Sequence, residues 1–134
     1  MTVWLLDSNA VMGYLNRDSA PGFIGRFEQA LLEGAAVSVI TTIEVLGWRG
    51  HDASSRSSAE NLLRCMDEIA LHADVVRQTI SLRSAYSITL PDAVVAATAL
   101  VDGLKLMTRN QADFDRVAGL TVVNPFLALT NPRD

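Results

Sequence analysis

The chain has 134 residues, of which 49% are hydrophobic and 19% charged, and its formal net charge at pH 7 is −4. This length fits one domain with a sizeable core, and the hydrophobic content excludes a disordered chain. The acidic balance excludes non-specific nucleic-acid binding through a basic surface, so any activity on nucleic acid must use a local site.

The cysteine content and the hydropathy pattern indicate the compartment. Cys65 is the only cysteine, so no internal disulfide can form and a reducing compartment is expected. No apolar run reaches the roughly 18 residues of a membrane span. The N-terminal MTVWLLD is too short for a signal peptide and has no basic region. We therefore expect a cytoplasmic protein with no membrane association.

The first half of the chain alternates short apolar strands with helical patterns. Phe23, Phe27 and Ala30 recur at helical spacing, which indicates one buried helix face. The predicted elements are, in order, a strand at 3–6, a helix from residue 10, a helix from 23 that ends at Gly34, a strand at 35–40 and a helix from 41 that breaks near Gly47.

The second half continues the alternation. Its segment LPDAVVAATALVDG is apolar nearly all round, which predicts a buried helix closed by Gly103. The other predicted elements are a polar loop at 51–58, a helix at 59–70 with Cys65 in the core, a short strand at 69–73, a helix with Asp74 as its N-cap, a strand at 104–108, a short helix at 112–117 and a strand at 120–123. Strands that alternate with helices predict an α/β fold with a parallel, doubly wound sheet.

Acidic residues follow several of the predicted strands. Asp7 follows the first strand, and Glu44 lies in the first turn of the helix after the second. Asp92 begins the buried helix, and Asn110 and Asp113 follow the strand at 104–108. Because ligands of an open parallel sheet bind beyond the carboxyl ends of its strands, we expect these side chains to gather at one edge.

The chemistry of this set indicates a metal site. Clustered carboxylates repel one another unless protons or a cation neutralise them. Oxygen ligands without Cys or His suit Mg²⁺ or Mn²⁺ rather than zinc. Such a site supports phosphodiester cleavage, in which the metal polarises the phosphoryl group and generates hydroxide from bound water.

The same acids also suit helix capping. Asp7 can cap the first helix, and an acid in a first turn gains ~0.3–1 kcal/mol from the helix dipole. Capping-box spacing occurs three times, at Thr41-x-x-Glu44, Thr89-x-x-Asp92 and Asn110-x-x-Asp113. The two interpretations are compatible, because helix N-termini can orient carboxylates that hold a metal.

Four segments together resemble a known family: LLDSN, TTIEVLGW, LPDAVVAATAL and LMTRNQADF. In this order and spacing they are similar to PIN-domain ribonucleases, most closely to the small VapC-type toxins of bacterial and archaeal toxin–antitoxin pairs. The resemblance covers essentially the whole chain and implies a single PIN-like domain over 1–134. It also implies an α/β/α sandwich around a parallel sheet of four to five strands.

The resemblance further implies site residues. The catalytic and metal-binding residues are expected to be Asp7, Glu44, Asp92 and Asp113. The expected pocket-lining residues are Ser8, Thr108 and Asn110, and either Asn110 or Asp113 supplies the fourth acid position. Three nearby arginines either contact phosphates or are solvated, namely Arg49, Arg109 and Arg116.

Cofactor and partners follow from the same resemblance. It implies a Mg²⁺- or Mn²⁺-dependent endoribonuclease with an RNA substrate, frequent homodimers and a cognate antitoxin protein. The antitoxin is expected to wrap the toxin with its C-terminal segment and to bring an Arg or Lys near the metal site. Exposed apolar surface around Trp48 and the helix at 23–32 is expected to form the groove for that segment.

Two other functions remain open from the sequence. A phospho-accepting receiver-like switch also places acids at the ends of parallel strands. It requires paired acids at the first strand, whereas Asp7 is unpaired, and an Asp directly after a central strand, where this chain has Thr41 and Thr42. A non-catalytic PIN module that only binds a partner is the second alternative, and retention of the four acids weighs against it.

Overall fold

The computed structural model describes residues 1–127. Strands and helices alternate through them in the order β1 (Trp4–Leu6), α1 (Ser8–Leu15), α2 (Phe23–Glu33), β2 (Ala35–Ser38), α3 (Val39–Leu46), α4 (Ala53–Leu63), β3 (Asp67–Ile69), α5 (Ala73–Ala85), α6 (Leu90–Asp102), β4 (Lys105–Met107), α7 (Gln111–Phe114) and β5 (Val122–Val123).

The strands form one five-stranded sheet in the order β3-β2-β1-β4-β5, and every neighbouring pair is parallel. β1 lies at the centre, where Leu5 is paired with Ala36 of β2 and with Leu106 of β4. Both the predicted α/β class and the parallel sheet are confirmed. All carboxyl ends of the strands therefore point to the same edge.

Helices cover both faces of the sheet, because alternate residues of each central strand point to opposite sides. Leu5 and Leu106 pack with residues of α5, α6 and α7 in one core cluster. Leu6 and Met107 pack with residues of α1, α2 and α4 in the other. The arrangement is an α/β/α sandwich, and α6 is the buried Ala/Val helix, closed by Gly103 in a left-handed conformation.

The segment between α3 and β3 differs from its prediction. The polar residues 51–58 were predicted to be a loop, but α4 begins at Ala53. Asp52 caps it, with Oδ1 accepting from the backbone N of Ser55 at 2.7 Å. Because α4 ends at Leu63, Cys65 lies in the turn that follows and is exposed. The prediction that Cys65 belongs to the core is therefore wrong.

The next elements are also displaced from their predicted positions. β3 occupies 67–69 and not 69–73, because its pairing with β2 places Asp67 opposite Ala36. α5 begins at Ala73 with His72 as its N-cap, so Asp74 lies in the first turn and is not the cap. In the described part of the chain, no helix combines the length and the apolar character needed to cross a membrane.

Candidate functional site

Asp7 joins the end of β1 to the beginning of α1. Its side chain is 5% exposed, and its Oδ1 accepts a hydrogen bond from the backbone N of Ser8 at 2.9 Å. This contact makes Asp7 the N-cap of α1, as predicted. The backbone N of Asp7 donates to the carbonyl of Met107 at 3.0 Å, which fixes this residue beside the end of β4.

Thr108, which follows β4, binds the other oxygen of the same carboxylate. Its hydroxyl donates to Asp7 Oδ2 at 2.8 Å and accepts from the backbone N of Asn110 at 3.1 Å. Thr108 is fully buried, so its hydroxyl orients Asp7. Asn110, predicted to line the pocket, contributes through its backbone N–H to Thr108 and makes no side-chain cap of α7.

Asn9 braces the ends of β1 and β4, and the sequence did not single it out as a site residue. Its Nδ2 donates to Thr108 Oγ1 at 3.2 Å and to Asp7 Oδ2 at 3.4 Å. Its Oδ1 accepts from the backbone N of Arg109 at 2.9 Å. The available signal was its position two residues after Asp7, where a short amide can reach both the carboxylate and the neighbouring strand end.

Glu44 approaches Asp7 through Ser8. The Ser8 hydroxyl donates to Glu44 Oε1 at 2.5 Å and lies 3.4 Å from Asp7 Oδ1. α3 begins at Val39 with Ser38 as its N-cap, so Glu44 lies in the second turn and the predicted capping box with Thr41 is wrong. Ser8 therefore sits between two of the predicted acids, as a residue that lines the site.

Asp92 and Asp113 face one another across a small pocket. Thr89 caps α6, with Oγ1 accepting from the backbone N of Asp92 at 3.4 Å, as its spacing predicted. Asp113 lies in the first turn of α7. The two acids line a pocket of about 100 Å³ together with Ser87, Ile88, Thr89 and Arg116.

The raised pKa values of Asp7 and Asp92 reflect the charges of neighbouring acids. Burial is the main cause that raises the pKa of Asp7, and the charges of Asp92 and Glu44 raise it further, against the hydrogen bonds from Thr108 and Ser8. Burial likewise raises the pKa of Asp92, and the charges of Asp113 and Glu44 add to it. The charges of Asp7, Glu44 and Asp92 therefore influence one another, and the charge of Asp113 reaches Asp92.

The donor set fits a hard divalent cation. Across residues 1–127, no three Asp, Glu, His or Cys side chains converge into a ready-made metal-binding group. Mg²⁺ needs only one or two carboxylates and completes its shell with waters and phosphate oxygens. Asp7, which is buried, and Asp92, which is half-buried, both have raised pKa values, and their carboxylates are oxygen ligands that meet that requirement.

Two of the predicted flanking arginines differ in their surroundings. Arg109 is engaged, because its Nη2 pairs with Asp18 at 2.7 Å and its guanidinium lies 3.8 Å from the centre of the Phe126 ring. Arg116 lines the pocket of Asp92 and Asp113. Arg109 is therefore held in the fold, and Arg116 is the arginine that faces the site.

A groove runs beside α1, away from the acids. One pocket of about 240 Å³ includes Trp48, Met12 and His51, and a second of about 310 Å³ includes Tyr14 and Ile24. Both are lined by Leu15 and Ser58, so they are neighbours. Trp48 is 48% exposed. Residues near Trp48 and on the helix at 23–32 thus line neighbouring pockets with polar as well as apolar side chains, and their use as an antitoxin groove stays a prediction.

Fold and site together define a class of protein: a parallel α/β/α domain with an acidic site at the carboxyl ends of its central strands. The sequence profile of the PIN domain matches residues 4–120. The chain belongs to the PIN-domain family, which confirms the resemblance predicted from its four segments. No curated protein matches it.

Solved structures agree with this assignment. One chain of a toxin–antitoxin complex from Klebsiella pneumoniae is 30% identical, with a TM-score of 0.72 over 90% of this chain and 96% of that one. The fold is also similar to a chain of DNA-bound VapBC from Salmonella typhimurium, at 19% identity and a TM-score of 0.81 over 93% and 99% of the two chains. A chain of FitAcB from Neisseria gonorrhoeae is 21% identical, with a TM-score of 0.75 over 92% of this chain and 99% of that one.

Proposed function

We propose that the protein is a divalent-metal-dependent endoribonuclease and the toxin of a type II toxin–antitoxin pair. The observation that carries the nuclease proposal is the pair of acids Asp7 and Asp92. Each has a pKa raised by burial and by other carboxylates of the same site. Such a site is stabilised by a cation, and Mg²⁺ held by a few carboxylates keeps positions open for phosphate oxygens, as metal-assisted phosphodiester cleavage requires. Family membership argues against the receiver-like alternative.

The chain's own residues have separate roles in this proposal. Asp7 and Asp92 would hold the cation, and Glu44 and Asp113 would join them directly or through water. When bound, the ion supplies Lewis-acid polarisation of the phosphate and lowers the pKa of water. Thr108 holds the Asp7 carboxylate in one orientation through its hydrogen bond.

Metal binding is tested by calorimetric titration with Mn²⁺. Asp7→Asn and Asp92→Asn should fold normally, since removing one of several clustered charges relieves repulsion, and should bind Mn²⁺ much more weakly. Asp102→Asn is the matched control, because Asp102 lies on the same helix about 15 Å further along. Unchanged Mn²⁺ affinity in both site variants would overturn the metal assignment.

The reaction is tested with purified protein and single-stranded RNA. Cleavage should require Mg²⁺ or Mn²⁺, stop in EDTA and be lost in Asp7→Asn, while Asp102→Asn stays active. The products should carry 5′-phosphate and 3′-hydroxyl ends, because water and not the ribose 2′-hydroxyl attacks. A 2′,3′-cyclic phosphate product, or full activity in EDTA, would contradict this mechanism.

An antitoxin partner is supported by the groove and by the acidic site. A disordered segment can cover a long groove at the cost of ordering when it binds. An arginine at its end can pair bidentately with carboxylates in place of the metal. The 30% identical chain from Klebsiella pneumoniae belongs to a toxin–antitoxin complex. The homodimer implied by the family stays a prediction, which light scattering of the purified chain tests.

The toxin role is tested in cells. Expression of the wild-type chain should slow growth, co-expression with the neighbouring small reading frame should restore it, and Asp7→Asn should be harmless alone. Equal growth with wild type and Asp7→Asn at matched expression would contradict the toxin role and leave the nuclease proposal standing.

A further inference from the structure

Arg116 lies beside two acids of the site without an ion pair to either. It lines the pocket of Asp92 and Asp113. Within residues 1–127, the ion pairs are Arg77–Asp74 and Arg109–Asp18. The Arg116 guanidinium instead donates through Nη2 to the carbonyl of Ser87, in the loop between α5 and α6.

This arrangement leaves most of the guanidinium open. Arginine carries five N–H donors in a fixed planar fork. Among the described residues, only the Ser87 carbonyl accepts a hydrogen bond from the Arg116 guanidinium, and it does so from Nη2. The Ser87 carbonyl fixes one side of the fork at the rim of the pocket. The other donors are available to an acceptor that lies over Asp92 and Asp113.

We propose that Arg116 binds a backbone phosphate of single-stranded RNA placed over Asp92 and Asp113. The inference rests on the proposed nuclease function, since a phosphate approaches two carboxylates only when a divalent cation neutralises them. A guanidinium donates to two phosphate oxygens at once, which fixes the strand in position without reading its sequence. Arg116 is thus a substrate-binding residue for any RNA sequence that enters the site.

The Ser87 contact also braces the loop, so the test must separate this role from phosphate binding. Arg83 provides the matched control, because it donates to the carbonyl of Ile88 in the same loop at 3.3 Å and does not line the pocket. Removing either arginine loses one brace of the loop. Only the loss of Arg116 removes a charge from the pocket.

The experiment measures binding of a short fluorescent single-stranded RNA at several salt concentrations. Ca²⁺ replaces Mg²⁺, because it carries the same charge with a looser coordination shell, and gels check that the RNA stays intact. Where cleavage is detected, KM replaces Kd. Wild type is compared with Arg116→Gln, Arg116→Lys and Arg83→Gln, and thermal unfolding confirms that each variant is folded.

Arg116→Gln should weaken binding about tenfold, as for loss of a hydrogen bond to a charged group. The slope of log K against log salt concentration should become shallower by roughly 0.7, the value for one phosphate contact on a single strand. Arg83→Gln should change neither quantity, and Arg116→Lys should keep the wild-type slope because it keeps the charge. If Arg116→Gln does not fold, a shallower slope in Arg116→Lys overturns the inference.

Equal effects of Arg116→Gln and Arg83→Gln on affinity, with unchanged slopes, would show that Arg116 only braces the loop. RNA cleavage by wild type together with unchanged binding by Arg116→Gln would overturn this inference and leave the proposed function intact. A wild-type protein that neither binds nor cuts RNA would overturn both.

Discussion

Asp7 serves the fold and the site with the same carboxylate. Its Oδ1 caps α1 and its Oδ2 accepts from Thr108, yet burial and two nearby acids raise its pKa. Asparagine keeps the cap and loses the charge, because its side-chain oxygen is still an acceptor. Replacing Asp7 by Asn therefore separates the charge of this residue from its cap, although the amide group then takes the place of the oxygen that accepts from Thr108.

The pH dependence of stability should report the raised pKa of Asp7. The folded protein keeps the proton of the Asp7 carboxyl at pH values where the unfolded chain has released it. The resulting stabilisation is complete below the ordinary pKa of 3.8, and it is lost as the pH rises through the raised pKa of the folded state. The free energy of unfolding should therefore fall less from roughly pH 4 to 7 in Asp7→Asn than in wild type. Urea unfolding across that range measures it, and parallel curves for the two proteins would contradict the assignment.

Thr108→Val removes the hydroxyl that donates to Asp7. This hydrogen bond lowers the pKa of Asp7, so its loss should move the acidic limb of the activity profile to higher pH. Asn9 and the backbone N of Asn110 also lose an acceptor, which should cost about 1–3 kcal/mol of stability. The control is Thr98→Val, since the buried Thr98 hydroxyl donates only to its own helix at Val94. It should leave the activity profile in place, and an equal shift in both variants would rule out a specific effect on Asp7.

At the scale of elements, two glycines within helices differ in how much space surrounds them. An added Cβ at Gly25 of α2 would meet nothing within 4 Å, whereas at Gly13 of α1 it would lie 2.7 Å from the Phe126 ring. Gly25→Ala should therefore stabilise the protein by about 0.5–1 kcal/mol, because alanine restricts the unfolded chain and favours the helix. Gly13→Ala should destabilise it. Thermal unfolding of both variants checks the prediction, and a lower melting temperature for Gly25→Ala would contradict it.

The sequence predicted the strands and helices that have a clear pattern of apolar side chains. Apolar runs identified β1, β2 and β4, and apolar periodicity with a terminal glycine identified α2 and α6. It missed the start of α4, because Asp52 and Ser55 form that cap in a stretch too polar to indicate a packed helix. It placed β3 too late, because this edge strand begins with the exposed residues Asp67 and Glu68 and depends on pairing with β2.

The sequence identified the residue types of the candidate site but not the contacts between their side chains. The parallel topology could anticipate the positions of Asp7, Glu44 and Asp113 after β1, β2 and β4, whereas Asp92 begins α6 after a helix and not after a strand. The contacts of Asn9 and Arg116 depend on which loops become neighbours in space. Asn9 acts on Thr108 and Arg109, about a hundred residues away in the chain, and no local pattern encodes such a contact.

At the scale of the whole molecule, residues 124–127 form a clasp that joins the C-terminal part of the described chain to α1 and α2. Phe126 stacks on Phe23 at 4.1 Å between ring centres and lies under the guanidinium of Arg109. Arg26 donates to the carbonyls of Pro125 and Leu127 at 2.9 and 2.8 Å. The clasp therefore ties α1 and α2 to the loop that carries Thr108.

Phe126→Ala should remove the contacts of the ring with Phe23 and Arg109 that hold the clasp. It should destabilise the protein by ~3 kcal/mol, since the buried ring leaves a cavity against Phe23. Leu127→Ala is the control, because Leu127 is 58% exposed and its loss should change the free energy of unfolding by at most about 0.5 kcal/mol. Urea denaturation compares the two, and equal values would show that the ring does not hold the clasp.

The central position of β1 determines when the site can exist during synthesis. β1 has β4 as its second neighbour, and Asp7 accepts a hydrogen bond from Thr108, which lies 101 residues further along the chain. Since translation adds residues in order from the N-terminus, the surroundings of Asp7 are complete only after Thr108 has been made. A translation product that stops before residue 105 contains Asp7, Glu44 and Asp92 but has neither the strand nor the hydroxyl that position Asp7. Under the proposed function, the nascent chain has no complete site until β4 and Thr108 have been made.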